Sequence, residues 1–279
     1  MTVAPVYKQG WTMDDIHWSL FDPTRIEPSL LAAVKAAALV EYNAPDYVTY
    51  LKRVFADAGA ETLAAIEQWG REEAQHGRAL GRWAEMADPR FKLEDALVRF
   101  RKGYTPAHFA DTGAGSVRGS RRGEMVARCV VESGTSSYYS AIRDASQEPV
   151  LQEIAGRIAA DEYRHYKLFY DTLHAQAEPD ISFWRKLWIA LGRVQESDDD
   201  ELAFSFYCAN VPPEKEALTP YDRKKYSQLA RQASMTVYHR KHIQKLVQMV
   251  IKVVGANPHG WLANLASALL WRRLSAKAA

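Results

Sequence analysis

Cysteine is scarce: the 279 residues include only two, Cys129 and Cys208, far apart in the chain. That excludes a disulfide framework and any CxxC metal knuckle, and it fits a reducing cytoplasm. Long apolar runs are missing too. No stretch reaches the roughly 18 uninterrupted apolar residues of a membrane span. The opening MTVAPVYKQGWTMDD has no basic segment leading into an apolar one, so no secretory signal is expected. Strand signals are equally poor, with no convincing apolar–polar alternation and no Asn-Gly turn. No repeat of 30–50-residue period occurs, which argues against a helical solenoid. A flavin fingerprint and a cysteine-rich electron-transfer segment are also lacking, so any electrons must come from another protein.

What is present is helical spacing. After an extended arm (1–26) carrying Trp11 and Trp18, apolar residues recur at three and four from about residue 27 to Gly59, with a kink expected at Pro45, one turn after Glu41. A second helix is expected at about 60–87, stopping before Asp88-Pro89. Residues 88–122 read as a long connection ending in DTGAGSVRGSRRGE. Helices follow at about 122–146 and, opened by Pro149, 149–176. Further helices are expected at 181–195, 198–209 and 220–254, with Ser197 and Thr219 as N-caps, and the tail NPHGWLANLASALLWRRL as a last one. The predicted class is all-α. Four long helices with one long crossover after the second give a ferritin-like four-helix bundle at 27–179, with additional C-terminal helices at 180–279 packing on it.

The chemistry lies in two tetrapeptides. REEAQHGRAL contains Glu73-x-x-His76 and ADEYRHYKLF contains Glu162-x-x-His165. Positions i and i+3 share a helix face, so each pair can present its side chains together. One helix earlier in each case stands a further glutamate, Glu41 and Glu132, set among apolar neighbours. The chain thus reads Glu, Glu-x-x-His, Glu, Glu-x-x-His, one element per helix, at spacings that antiparallel packing brings to one level. Four inward carboxylates repel one another and are costly to bury unless paired or bound to metal. Two cations with two imidazoles complete such a set, and mixed carboxylate–imidazole ligation suits iron, manganese or a mixed pair better than a closed zinc site. Each motif glutamate is preceded by an acid, Glu72 or Asp161. Because ligating histidines donate their other N–H to a carboxylate, Glu72 is expected to support His165 and Asp161 to support His76.

At WGREEAQHGRAL, IAADEYRH and Glu132-Ser-Gly-Thr135 the chain resembles the soluble acyl-acyl carrier protein desaturases of the ferritin-like di-iron carboxylate superfamily, over roughly residues 27–176. The resemblance implies Glu41, Glu73, His76, Glu132, Glu162 and His165 as ligands of two iron ions, dioxygen as co-substrate, and Thr135 as an oxygen-side or proton-relay residue, with Gly134 leaving room nearby. It further implies an acyl chain on a carrier protein as substrate, a ferredoxin-type electron donor and a homodimer. The chain departs from the family in being shorter than the plant enzymes and in having Gln75 where an arginine is usual. The family's tryptophan, linked through an aspartate to a ligand histidine, has two candidates, Trp11 and Trp18.

Charge is unevenly spread. Residues 213–279 hold 12 Lys/Arg and three acids, about +9, against −7 for the rest. The basic part, with Arg118, Arg121 and Arg122, is a candidate dock for an acidic carrier. His239 and His242 read as surface residues without a carboxylate partner. WLANLASALLWRRLSAK either packs back on the bundle or lies on an anionic membrane. No nucleic-acid partner is expected. Rival readings are an iron-handling or peroxide-scavenging protein, and other di-iron oxygenases of the N-oxygenase or aldehyde-deformylating type.

Overall fold

The computed structural model describes residues 10–104, 115–176, 178–196 and 200–278. Every regular element among them is helical, and no strand occurs. The helices are α1 Pro28–Tyr42, α2 Ala44–Val54, α3 Ala60–Ala87, α4 Leu93–Gly103, α5 Arg121–Ala145, α6 Pro149–Ala175, α7 Phe183–Glu196, α8 Asp200–Asn210, α9 Arg223–Met235, α10 Arg240–Val253 and α11 Trp261–Ala278.

Capping explains where the central helices begin. Ser120 accepts from the Gly123 amide at 3.0 Å to open α5. Pro149 occupies the first turn of α6, and the Glu148 carboxylate accepts from the Val150 and Leu151 amides at 3.2 and 2.7 Å. α1 packs on α3, α5 on α6, and α3 on α6. One apolar cluster gathers Leu39, Leu80, Trp83, Ile142, Leu151 and Ile158. A second gathers Leu51, Phe55, Ile66, Trp69, Met125 and Phe169. On every one of these chain segments the two clusters leave a gap, and Glu41, Glu73, Glu132 and Glu162 fall in it. The acidic layer is thus held between two dry regions.

Three expectations need correction. The first helix does not run kinked to Gly59; it breaks at Asn43, because Pro45 lacks an N–H and its ring would clash with the carbonyl of Glu41. The 88–122 connection contains a helix, α4, whose Leu93, Ala96, Leu97 and Phe100 are buried at helical spacing. The span 220–254 is divided at residues 236–239 into α9 and α10, and Asp222 rather than Thr219 caps α9, accepting from the Lys225 amide at 2.9 Å. Ser197 lies outside the described residues.

The arm is strapped across the bundle. Gln75 donates to the Trp11 carbonyl at 2.9 Å, the His17 amide donates to Glu153 at 3.0 Å, and the Asp22 amide to Glu148 at 3.1 Å. In the C-terminal part α7 and α10 pack on α5, α8 on α1, α4 and α9, and α11 on α9 and α10.

Candidate metal centre

Each of the four core helices delivers its side chains to the buried layer by simple periodicity. α1 brings Glu41. α3 brings Glu73 and, one turn on, His76. α5 brings Glu132, and α6 brings Glu162 with His165. All six are buried. Glu41, Glu73, His76 and Glu162 form one group whose candidate donor atoms all lie within 4.8 Å of one another; Glu73, Glu132, Glu162 and His165 form a second on the same criterion. Glu73 and Glu162 belong to both. The two groups therefore lie side by side in one buried layer, each able to hold a metal ion, with a pair of carboxylates in common.

The imidazoles are oriented from behind. His76 Nε2 stands 3.0 Å from Asp161 Oδ2, and His165 Nε2 stands 2.8 Å from Glu72 Oε2. A carboxylate only accepts, so each Nε2 carries a proton, and each Nδ1 is the ring atom that faces the centre and would meet a cation there. His76 Nδ1 lies 3.1 Å from Glu162 Oε1, and His165 Nδ1 lies 2.9 Å from Glu73 Oε1. Buried atoms without a partner in hydrogen-bonding geometry concentrate here: Glu73 Oε1, His76 Nδ1, Glu132 Oε1 and Glu162 Oε1. Such atoms are expensive to bury, and all belong to the donor set. The residues present therefore fit a pair of hard to borderline cations.

Electrostatics agree with that. Burial, and then the charges of Glu73 and Glu162, push Glu41 well above the usual carboxylate range. Burial likewise raises Glu132, with Glu162 and Glu73 adding to it. For Glu162 burial is outweighed by His76 and His165, leaving it at about 2. Burial is also outweighed at His76, where Asp161 and Glu162 raise the imidazole to about 9. By themselves, then, these groups share protons; bound cations would replace protons as the positive charge.

Of the two candidate tryptophans, Trp11 reaches the site. Its Nε1 donates to Asp161 Oδ2 at 2.8 Å and its ring stacks on His76 at 6.1 Å and 9°. Trp18 instead donates to the Met13 carbonyl at 2.9 Å. Thr135 sets its hydroxyl against the Glu162 carboxylate and lies 3.3 Å from the carbonyls of Val131 and Glu132. Gly134 has open space where a Cβ would stand. Two contacts escaped the sequence reading. The Tyr139 hydroxyl donates to Glu41, and Arg164 pairs with the far oxygen of Asp161. Tyr139 lies seven residues after Glu132 on one face of α5, a spacing that gives its face and not its partner.

Residues expected elsewhere are placed differently. His242 is buried, with Nε2 3.1 Å from Asp144, which overturns its reading as a partnerless surface residue; His239 is exposed. The arginines of the crossover turn serve the fold: Arg118 pairs with Glu196 at 2.6 Å, Arg121 with Asp57, and buried Arg122 donates to the carbonyls of Leu173, Gln176 and Glu178. Compared as a whole with protein-family models and with curated proteins, the chain matches none of them.

Proposed function

We propose that α1, α3, α5 and α6 form a ferritin-like bundle holding two iron ions, and that the protein is an oxygen-dependent oxidase of acyl chains, a desaturase in its simplest form. The observation that carries this is the pair of donor groups sharing Glu73 and Glu162. In this reading Glu41 with His76 and Glu132 with His165 are the terminal ligands of the two sites. A reduced iron pair would supply the electrons and open coordination positions with which dioxygen is activated. Overall, two adjacent methylenes, one dioxygen, two electrons and two protons give one double bond and two waters.

The chain's own residues do the rest. Asp161 and Glu72 hold the imidazole tautomers. Thr135 offers a hydroxyl proton beside Glu162, and Tyr139 one beside Glu41. The two flanking apolar clusters keep bulk water out. A crevice of about 10 Å³ lined by Ile66, Met125, Phe169 and Leu168 is closed to an acyl chain as it stands, and in this reading those side chains part to admit one. Ile66, Met125 and Phe169 are each seven residues from a proposed ligand (Glu73, Glu132 and Glu162), so the crevice opens about 10 Å along the same helix faces. A carrier-linked acyl group and an external ferredoxin-type donor complete the scheme.

The test is to load the protein with iron, reduce it, and expose it to oxygen with a series of acyl carrier proteins. Two iron per chain and loss of two hydrogens from the acyl mass are expected. One zinc per chain, or unchanged acyl mass while oxygen is consumed, rejects the proposal.

A further inference from the structure

Helix α11 is packed with its small residues inward. Ala263 and Ser267 are its buried residues, on the side that meets α9 and α10. Leu270, Trp271 and Leu274 are half-buried on that side, whereas four large apolar residues face out: Trp261 is 72% exposed, Leu262 46%, Leu265 49% and Leu269 55%. At about 100° per residue, these four and the exposed Arg272 and Arg273 fall within an arc of roughly 120°, with Ala263 and Ser267 on the other side of the helix. Isolated exposed leucines are ordinary. Four large apolar side chains together on one arc of a helix mark a surface that is covered by something.

Charge decides among occupants. From Arg223 to Ala279 the chain has 11 Lys/Arg and not one Asp or Glu. A second copy docked face to face would set this acid-free region against itself, which like-charge repulsion opposes. An anionic apolar surface answers both the charge and the stripe. Trp and Leu on one side of a helix that ends in arginines suit the boundary between lipid headgroups and acyl chains. Among the described residues no helix is long and apolar enough to cross a membrane, so the contact is one of lying along it. We propose that the outward face of α11 docks on an anionic lipid bilayer, with Trp261, Leu262, Leu265 and Leu269 entering the headgroup region and Arg272 and Arg273 pairing with lipid phosphates. This is independent of the metal centre.

The test is flotation of the full chain with vesicles of phosphatidylcholine alone or mixed with phosphatidylglycerol. Flotation only with the anionic vesicles is expected, lost at high salt. Replacing both arginines by glutamine (R272Q/R273Q) should lower the partition coefficient roughly 30-fold, at about fivefold per basic residue. L265S/L269S should abolish flotation while helicity and melting temperature stay at the parent's values, because both side chains point away from the fold. Quenching of tryptophan emission by chain-brominated lipid should drop in Trp261→Phe. Failure of the parent to float on anionic vesicles, or L265S/L269S floating like the parent, overturns the proposal. So does a parent dimer that L265S/L269S dissociates, which would make the face a contact between copies.

Discussion

Trp11 acts on the centre without reaching its interior. Its indole donates to Asp161, which in turn holds His76, while Gln75 fixes the tryptophan's own carbonyl. Trp11→Phe keeps the ring but deletes a hydrogen bond to a buried carboxylate, worth about 1.5–3 kcal/mol. A lower melting temperature with two metals still bound is expected, measured by calorimetry and elemental analysis. Asp161→Asn should do more, weakening metal affinity 10–100-fold because the amide cannot hold the imidazole as a carboxylate does. Glu132→Ala should empty the second site while leaving Glu41 and His76 in place, so metal content falls towards one per chain. Retention of two ions in Glu132→Ala would remove Glu132 from the ligand set. These side chains were legible in the sequence because a donor set for a metal imposes residue type and spacing together. Tyr139 and Arg164 were not, since a tyrosine or arginine at helical spacing has many uses and only the packed structure selects one.

Among the helices, α1 and α3 approach unusually closely beside the centre. A Cβ on Gly77 would stand 2.6 Å from the backbone N of Tyr42 and 2.8 Å from its Cα. Backbone cannot rotate aside as a side chain can, so Gly77→Ala must push the end of α1, and with it Glu41, away from His76. Overpacking of this kind costs roughly 1–3 kcal/mol. The variant should fold, melt lower, and bind metal more weakly, read by thermal melts and metal titration; parental affinity would show that Glu41 does not depend on this contact. The long central helices could be read because their apolar spacing runs for about seven or eight turns. The short ones could not. α4 follows Asp88-Pro89 and a polar stretch that mimic a loop, and the break at Asn43 depends on what Pro45 does to the carbonyl of Glu41. The division of α9 from α10 carries no proline or glycine to announce it.

At the scale of the molecule, the C-terminal helices are tied to the core by charge as well as packing. Asp144 at the end of α5 meets Lys241 and His242 of α10 and neighbouring Arg143. Burial would raise its carboxyl, but Lys241, His242 and Arg143 together hold it well below the usual range. Burial lowers His242, against the pull of Asp144. Both signs work alike. Below about pH 6.5 the unfolded chain binds a proton on His242 that the folded chain resists, and below about pH 4 the same holds for Asp144. Stability from this tie is therefore full at neutral pH and is lost as pH falls. Asp144→Asn should melt several degrees below the parent at pH 7, with the gap starting to narrow below about pH 4 and continuing to narrow in stronger acid; a constant gap would show that the tie is not titrating. The charge asymmetry was visible in composition, but not its use, because distance along the chain hides that His242 faces Asp144.

The arm that carries Trp11 has a temporal consequence. Its anchors are Gln75, Glu148, Glu153 and Asp161, so the arm cannot complete its contacts until α6 has followed it out of the ribosome. His76 and Glu162, three helices apart in order of synthesis, wait on the same event. The candidate metal centre thus cannot assemble before α6 is made, and a nascent chain arrested before α6 emerges should hold Trp11 in water, where its emission is red-shifted.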